Sequence, residues 1–157
     1  MIKEGLRLFS PPVYAYRVCS KDVQVGNYLL PSGTTVVHSH YITHRLPGIY
    51  PEPLKFIPER WENLKPSPFE YLPFGYGAHA CLGGGLANMM MRMILPRILR
   101  TWRLEMIPGT RIDRRVLVTL SPKGGMPMKI RRQDGCFEKR AAKIRGNVHE
   151  MVDLPVQ

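Results

Sequence analysis

Acidic residues are scarce in this chain, and no apolar run approaches the ~20 residues that a membrane-spanning helix requires. The start, from Met1 to Arg7, lacks the apolar stretch of a secretory signal. Cysteines are few, odd in number and widely spaced, at Cys19, Cys81 and Cys136. That pattern argues against a disulfide framework and for a reducing compartment, which makes the expected location cytoplasmic, with an upstream anchor left open. What is present in excess is positive charge: 23 Lys and Arg against 12 Asp and Glu give +11 and a pI near 10.0. Such an excess favours an acidic partner, and nucleic acid, an anionic membrane surface and an acidic protein or cofactor all qualify. A chain of 157 residues that is 44% hydrophobic and 22% charged falls in the globular class, with room for one core.

The spacing of Ile2, Leu6 and Leu8 predicts a helix that must stop at Ser10-Pro11-Pro12, because proline cannot continue it. The chain thus begins inside an element, which predicts sequence continuing upstream. Short strands are expected at Val13–Val18, Val23–Val25, Tyr28–Leu30 and Thr34–Val37, with turns at Gly26-Asn27 and Pro31-Ser32-Gly33, forming a small antiparallel sheet. From Pro47 to Pro73 prolines recur between Phe56, Trp61, Phe69 and Tyr71, which predicts a long ordered coil pinned by aromatics. Leu86, Met89, Met90, Met93, Ile94 and Ile98 repeat at helical spacing and predict a helix over residues 86–99 whose apolar stripe faces a core. Val116–Leu120 and Met128–Ile130, joined by Ser121 to Gly125, predict a hairpin. Residues 132–157 form a polar, mixed tail of a composition compatible with disorder.

The strongest local signal is Phe74-Gly75-Tyr76-Gly77-Ala78-His79-Ala80-Cys81-Leu82-Gly83, immediately before the predicted helix. Gly75 and Gly77 permit a tight backbone, and a helix N-terminus favours a thiolate. Phe74 can cover the sulfur, and Gly83 leaves room for a flat macrocycle. A lone cysteine is more often a small buried hydrophobe. The spacing of five defined positions in ten residues overrides that reading here.

This loop resembles the haem-binding loop of the cytochrome P-450 family of haem-thiolate monooxygenases. Glu4-Gly5-Leu6-Arg7 is similar to the family's Glu-x-x-Arg helix, and Pro58-Glu59-Arg60-Trp61 to the segment that precedes its haem loop. The resemblance implies an α+β, mainly helical fold: the C-terminal haem-binding part of the family's fold, incomplete, with a small antiparallel sheet. It covers residues 1–131 and leaves 132–157 outside. It implies haem (heme, iron protoporphyrin) as cofactor, with Cys81 as the iron ligand and Phe74 and Gly83 beside it. It also implies a structural triad of Glu4, Arg7 and Arg60, where two guanidinium forks satisfy one carboxylate. Arg17, in the strand after the first helix, and His79 inherit propionate-binding roles by position. Alone, Glu4 and Arg7 would be an ordinary surface pair, and Arg17 and His79 solvated groups.

The same resemblance implies insertion of one oxygen atom of O2 into a small apolar substrate. Val13, Tyr14, Ala15 and the segment Ser121–Met126 are expected to face that substrate. Electrons would come from an acidic ferredoxin or flavoprotein reductase docking near Arg92, Arg97 and Arg100. The chain departs from the family at Leu46, Met90 and Pro96, and it lacks the oxygen-activating helix expected upstream. The isolated chain is therefore expected to be inactive. A haem-thiolate hydroperoxide isomerase is the alternative chemistry, less favoured because the cysteine loop has regular spacing. His38, His40 and His44 could be metal ligands, but a fourth ligand is not nearby. A basic nucleic-acid-binding module is the different class; without a recognisable binding motif, no nucleic acid is expected.

Overall fold

A computed structural model describes residues 1–136 and 143–154. The first helix, α1, spans Ile2–Leu8, and Phe9 ends it with its N–H on the Gly5 carbonyl. Strands β1 (Ala15–Val18), β2 (Val23–Val25), β3 (Tyr28–Leu30) and β4 (Thr35–His38) follow, close to the expected boundaries. They form two antiparallel two-stranded ladders, β2 pairing β3 and β1 pairing β4. The β2–β3 hairpin is therefore an insertion, in sequence, between the directly paired strands β1 and β4. Gly26, at φ +56°, makes the turn between β2 and β3.

Short helices α2 (His40–Thr43) and α3 (Arg60–Asn63) interrupt the coil that leads to the cysteine loop. Ser39 caps α2 by accepting from the Ile42 N–H at 3.2 Å. The long helix α4 spans Gly84–Thr101 and runs through Pro96, which removes only one N–H from its ladder. Its apolar stripe does not face a core within this chain: Leu86, Met89, Met93 and Ile94 are all exposed. The chief neighbour of α4 among the described residues is β5 (Trp102–Met106).

The expected hairpin of residues 116–120 with 128–130 is not formed. Instead β6 (Asp113–Val116) pairs β7 (Leu120–Lys123), and β8 (Met128–Arg132) pairs β5, Trp102 opposite Arg132 and Met106 opposite Met128. The β-branched residues Val116 and Val118 suggested a strand interior, but Val118 lies at the exposed hairpin tip. The polar run Asp113-Arg114-Arg115 takes the strand position because its backbone pairs with β7.

Residues 143–154, within the polar tail, pack against the rest of the chain. Val148 and Val152 join Leu8 and Ile112 in a small buried cluster, flanked by Met106, Ile144 and Leu154. Arg45 fastens the segment through one guanidinium nitrogen that donates to the carbonyls of Leu8 at 2.7 Å and Met151 at 2.8 Å. The polar composition hid these few apolar residues, whose partners Leu8, Met106 and Ile112 are remote in sequence. The rest of the tail, residues 137–142 and 155–157, falls outside the described residues.

Candidate functional site

The platform under the site is a saturated carboxylate. Glu4 is fully buried. Its Oε1 accepts from an Arg7 NH2 at 2.8 Å, from Arg60 Nε at 3.0 Å and from the Ile57 N–H at 3.0 Å. Its Oε2 accepts from Arg7 Nε at 3.0 Å and Trp61 Nε1 at 2.9 Å. Burial pushes the Glu4 pKa up, but the Arg7, Ile57 and Trp61 hydrogen bonds and the Arg7 charge outweigh it and hold the carboxyl below its ordinary value. Arg7 spends its remaining donors on the carbonyls of His44, Pro53 and Lys55. Glu4, Arg7 and Arg60 thus meet around one carboxylate. Trp61 completes its coordination, a role that the sequence pattern did not signal.

A second link runs from this platform to the cysteine loop through His44. The Leu72 N–H donates to His44 Nε2 at 3.0 Å, so Nδ1 carries the proton and donates to the Arg7 carbonyl at 3.2 Å. Burial lowers the His44 pKa to about 4, against the Arg7 backbone bond that raises it and with help from the charges of His40, Arg7 and Arg45. Both ring nitrogens are committed to backbone, which leaves no lone pair for a metal. No cluster of three metal-ligating side chains exists among the described residues. Around this link Trp61 and Tyr71 meet edge to face, with centroids 4.6 Å apart, and the Tyr50 hydroxyl donates to the Glu70 carbonyl at 2.8 Å. Trp61 and Tyr71 pin the coil as expected, joined by Tyr50, whereas Phe56 and Phe69 are exposed.

The loop from Phe74 to Gly83 turns on two left-handed glycines, Gly75 at φ +71° and Gly77 at φ +76°. It closes when the Cys81 N–H donates to the Phe74 carbonyl at 2.7 Å, and α4 begins as the Gly84 N–H reaches the Cys81 carbonyl at 3.1 Å. A Cβ on Gly83 would lie 3.9 Å from Cys81 Sγ, whereas one on Gly84 would press Phe74 at 3.2 Å. Gly84, which the motif reading omitted, is thus the glycine that lets Phe74 seat against the start of α4. Cys81 is exposed and unpaired with any other cysteine.

Cys81, Phe74, His79, Arg17 and His40 line one cavity of about 780 Å³. That volume is within the range of small-molecule and cofactor sites. Ala15 and Thr119 also border it, while Ser121, Pro122 and Met126 line a separate apolar pocket. Of the segment Ser121–Met126, the described contacts are thus to this second pocket and not to the cavity beside Cys81. The arrangement offers one soft sulfur donor to a metal, and N–H donors from Arg17 and His79 to anionic groups.

Comparison with known proteins agrees with this geometry. The family model described as cytochrome P450 matches residues 1–126. The human mitochondrial 25-hydroxyvitamin D-1 alpha hydroxylase is 41% identical over 111 residues, covering 69% of this chain and 22% of that protein. The putative cytochrome P450 139 of Mycobacterium tuberculosis is 35% identical over 140 residues, covering 84% of this chain and 32% of that protein. Among solved structures, retinoic acid-bound cyanobacterial CYP120A1 superposes with a TM-score of 0.78 at 29% identity, covering 84% of this chain and 31% of that one. The chain belongs to the cytochrome P450 family and has part of its fold. It spans between a fifth and a third of the length of these relatives.

Proposed function

We propose that this chain is the sulfur-bearing, haem-binding portion of a monooxygenase acting on a small apolar substrate. The observation that carries the reading is the single cavity bordered by Cys81, Phe74, Arg17 and His79. These residues fit haem: a thiol for the iron, a flanking aromatic, a glycine at 83 beside the sulfur, and separate donors for the carboxylates. Bound haem supplies dioxygen activation, and an anionic sulfur ligand favours O–O cleavage. Cys81 would hold the iron, Phe74 would screen the sulfur from water, and Arg17 and His79 would orient the cofactor by its carboxylates. The Glu4–Arg7–Arg60 network and His44 would keep this loop in place. Ala15 and Thr119 would form part of the substrate wall.

The family unit is read as residues 1–131, with residues 143–154 docked onto it. Arg92, Arg97 and Arg100 are exposed on α4, and none is in an ion pair among the described residues. That free positive face supports docking of an acidic ferredoxin or flavoprotein. No described helix is long and apolar enough to cross a membrane. The expected location stays cytoplasmic, although the human relative is named mitochondrial. The exposed stripe of α4 favours a second reading for the isolated chain, without turnover and with weak haem affinity.

The test is the ferrous carbon monoxide spectrum of the haem-loaded protein. Cys81→Ser is expected to abolish the red-shifted band of thiolate ligation, while Cys19→Ser and Cys136→Ser keep it. A band retained in Cys81→Ser would overturn the ligand assignment.

A further inference from the structure

A second cavity, of about 440 Å³, lies between the β6–β7 hairpin and the segment 143–154 and has no role in the reading above. It shares no bordering residue with the cavity beside Cys81. Three stretches remote in sequence wall it: Phe9 after α1, the chain from Leu120 to Met126, and the closing segment from Ile144 to Leu154. The closing segment lies beyond residues 1–126, the part that matches the family. That wall is therefore contributed from outside the family pattern.

The walls are firm. Ile112, Val148, Met151 and Val152 border the cavity, and none of them is more than 8% exposed. Backbone bonds fix the closing segment in place: the Ile112 N–H donates to the Arg145 carbonyl at 2.8 Å, and the Asp153 N–H to the Leu54 carbonyl at 2.9 Å. An apolar void with fixed walls cannot collapse, and its lining forfeits dispersion contacts on one side. Its volume is within the range of small-molecule sites.

The lining selects the kind of ligand. The charged residues on the border are already engaged: Asp113 accepts from Arg111 Nε at 2.6 Å and from the Asn147 N–H at 2.9 Å, and Arg114 pairs with Glu150 at 2.6 Å. The other polar residue there, Ser121, has its hydroxyl 3.5 Å from the Arg115 carbonyl. An ionic ligand would lose its hydration without a free counter-charge in return, so a neutral hydrocarbon is the occupant that gains. Phe9 and Met126 border the cavity and are also exposed, which lets an apolar molecule enter over an apolar rim.

We propose that this cavity binds a small, neutral, hydrocarbon-rich molecule, and that binding holds the segment 143–154 against the β6–β7 hairpin. The proposal stands apart from the haem reading, since neither Cys81 nor any residue bordering its cavity takes part. The two sites nonetheless adjoin at the start of β7. Thr119 borders the first and Leu120 the second, and the Leu120 N–H donates at 2.8 Å to the carbonyl of Pro11, which itself borders the first.

The 157-residue chain, carrying carbon-13 methionine methyl groups, is titrated by NMR with naphthalene and with its anionic counterpart, naphthalene sulfonate. Met106, Met126 and Met151 border the cavity, whereas Met89 and Met93 lie on the exposed stripe of α4. Naphthalene is expected to shift the first three resonances saturably and leave the α4 pair in place, with the sulfonate about tenfold weaker or worse. Amide exchange in residues 143–154 should slow when naphthalene is bound. Ser121→Phe, which puts a ring into the cavity, is expected to abolish the shifts. The absence of any saturable shift in the wild type overturns the proposal. Equal shifts at Met89 and Met93 also overturn it, because they report adsorption to any apolar face. A sulfonate that binds as tightly as the hydrocarbon, or a folded Ser121→Phe that keeps the shifts, has the same consequence. Resonances of Met106, Met126 and Met151 that follow protein concentration and ignore naphthalene assign the cavity to a second copy of the chain and overturn the ligand. The wild-type titrations decide the matter whether or not Ser121→Phe folds.

Discussion

The two halves of the site are built on opposite terms. Around Glu4 and His44 nearly every donor and acceptor is matched: five donors converge on one carboxylate, and both His44 nitrogens hold backbone. Around Cys81 the chain is exposed and rich in glycine, and it faces a large cavity. The matched region is strongly specified and leaves little for a ligand to add. The cysteine loop closes on its own backbone and leaves the Cys81 thiol and the His79 ring without partners among the described residues, which is what a binding surface requires. Stability and binding are therefore separable by mutation, and each region should respond to a different measurement.

The most damaging single change is expected at the matched end. Glu4→Ala strands the buried guanidinium of Arg7 and the indole N–H of Trp61, and removal of one partner from a buried ionic network costs about 3–5 kcal/mol. Chemical denaturation followed by circular dichroism should show loss of cooperative folding. Glu4→Gln, which keeps two acceptor lone pairs on one oxygen, should retain more structure. A Glu4→Ala protein as stable as the wild type would remove the distinction between the two regions.

His44 gives the next largest effect and a pH signature. Its folded pKa, about 4, lies below the unfolded value of 6.5, so the unfolded chain binds the proton more readily between them. The associated stability is complete above pH 6.5 and is lost as pH falls towards 4, in total on the order of 3 kcal/mol. Denaturation midpoints measured between pH 5 and 7 should fall with decreasing pH in the wild type. In His44→Gln, which cannot titrate, they should change much less over the same range.

Smaller effects belong to the loop. Gly84→Ala would place a methyl group 3.2 Å from the Phe74 ring, and overpacking of this kind costs about 1–3 kcal/mol. Because Phe74 is half-buried and can shift, the lower end is expected, with a readable change in haem affinity. Smallest of all, Arg97→Glu on exposed α4 should change unfolding stability by under about 0.5 kcal/mol. It should instead slow reduction by an acidic donor in a salt-dependent manner, measured by stopped flow in a haem-loaded preparation. Reduction indifferent to both charge reversal and ionic strength would show that this face is not the docking surface.

How much of this was legible in the sequence depended on distance along the chain. The cysteine loop and the Glu4–Arg7 pair are local patterns, and their spacing alone places glycines at the turns and both charges on one helix face. Strand boundaries from β1 to β4 were also local, set by turn residues at Gly26 and Gly33. The pairing of β5 with β8 was not, because nothing in Met128–Arg132 names residues 102–106 as its partner. His40 was weighed only as a metal ligand, for a related reason. Its ring bonds to the Pro12 carbonyl, 28 residues away, which no local pattern shows. The exposed stripe of α4 was correctly identified as apolar, but its cover does not lie among the described residues.

The contact between the first helix and the closing segment bears on how the molecule assembles. Leu8 packs with Val148 and Val152, and Arg45 reaches the Met151 carbonyl. Joining chain regions roughly 140 residues apart carries a loop-closure entropy cost, although that cost grows only as the logarithm of separation. Such contacts form after the local ladders and slow the overall search. The segment 143–154 should accordingly be the last part to dock in refolding and among the first to exchange its amides. Nascent chains leaving the ribosome would hold Leu8 and Ile112 uncovered until residues 148–152 have emerged.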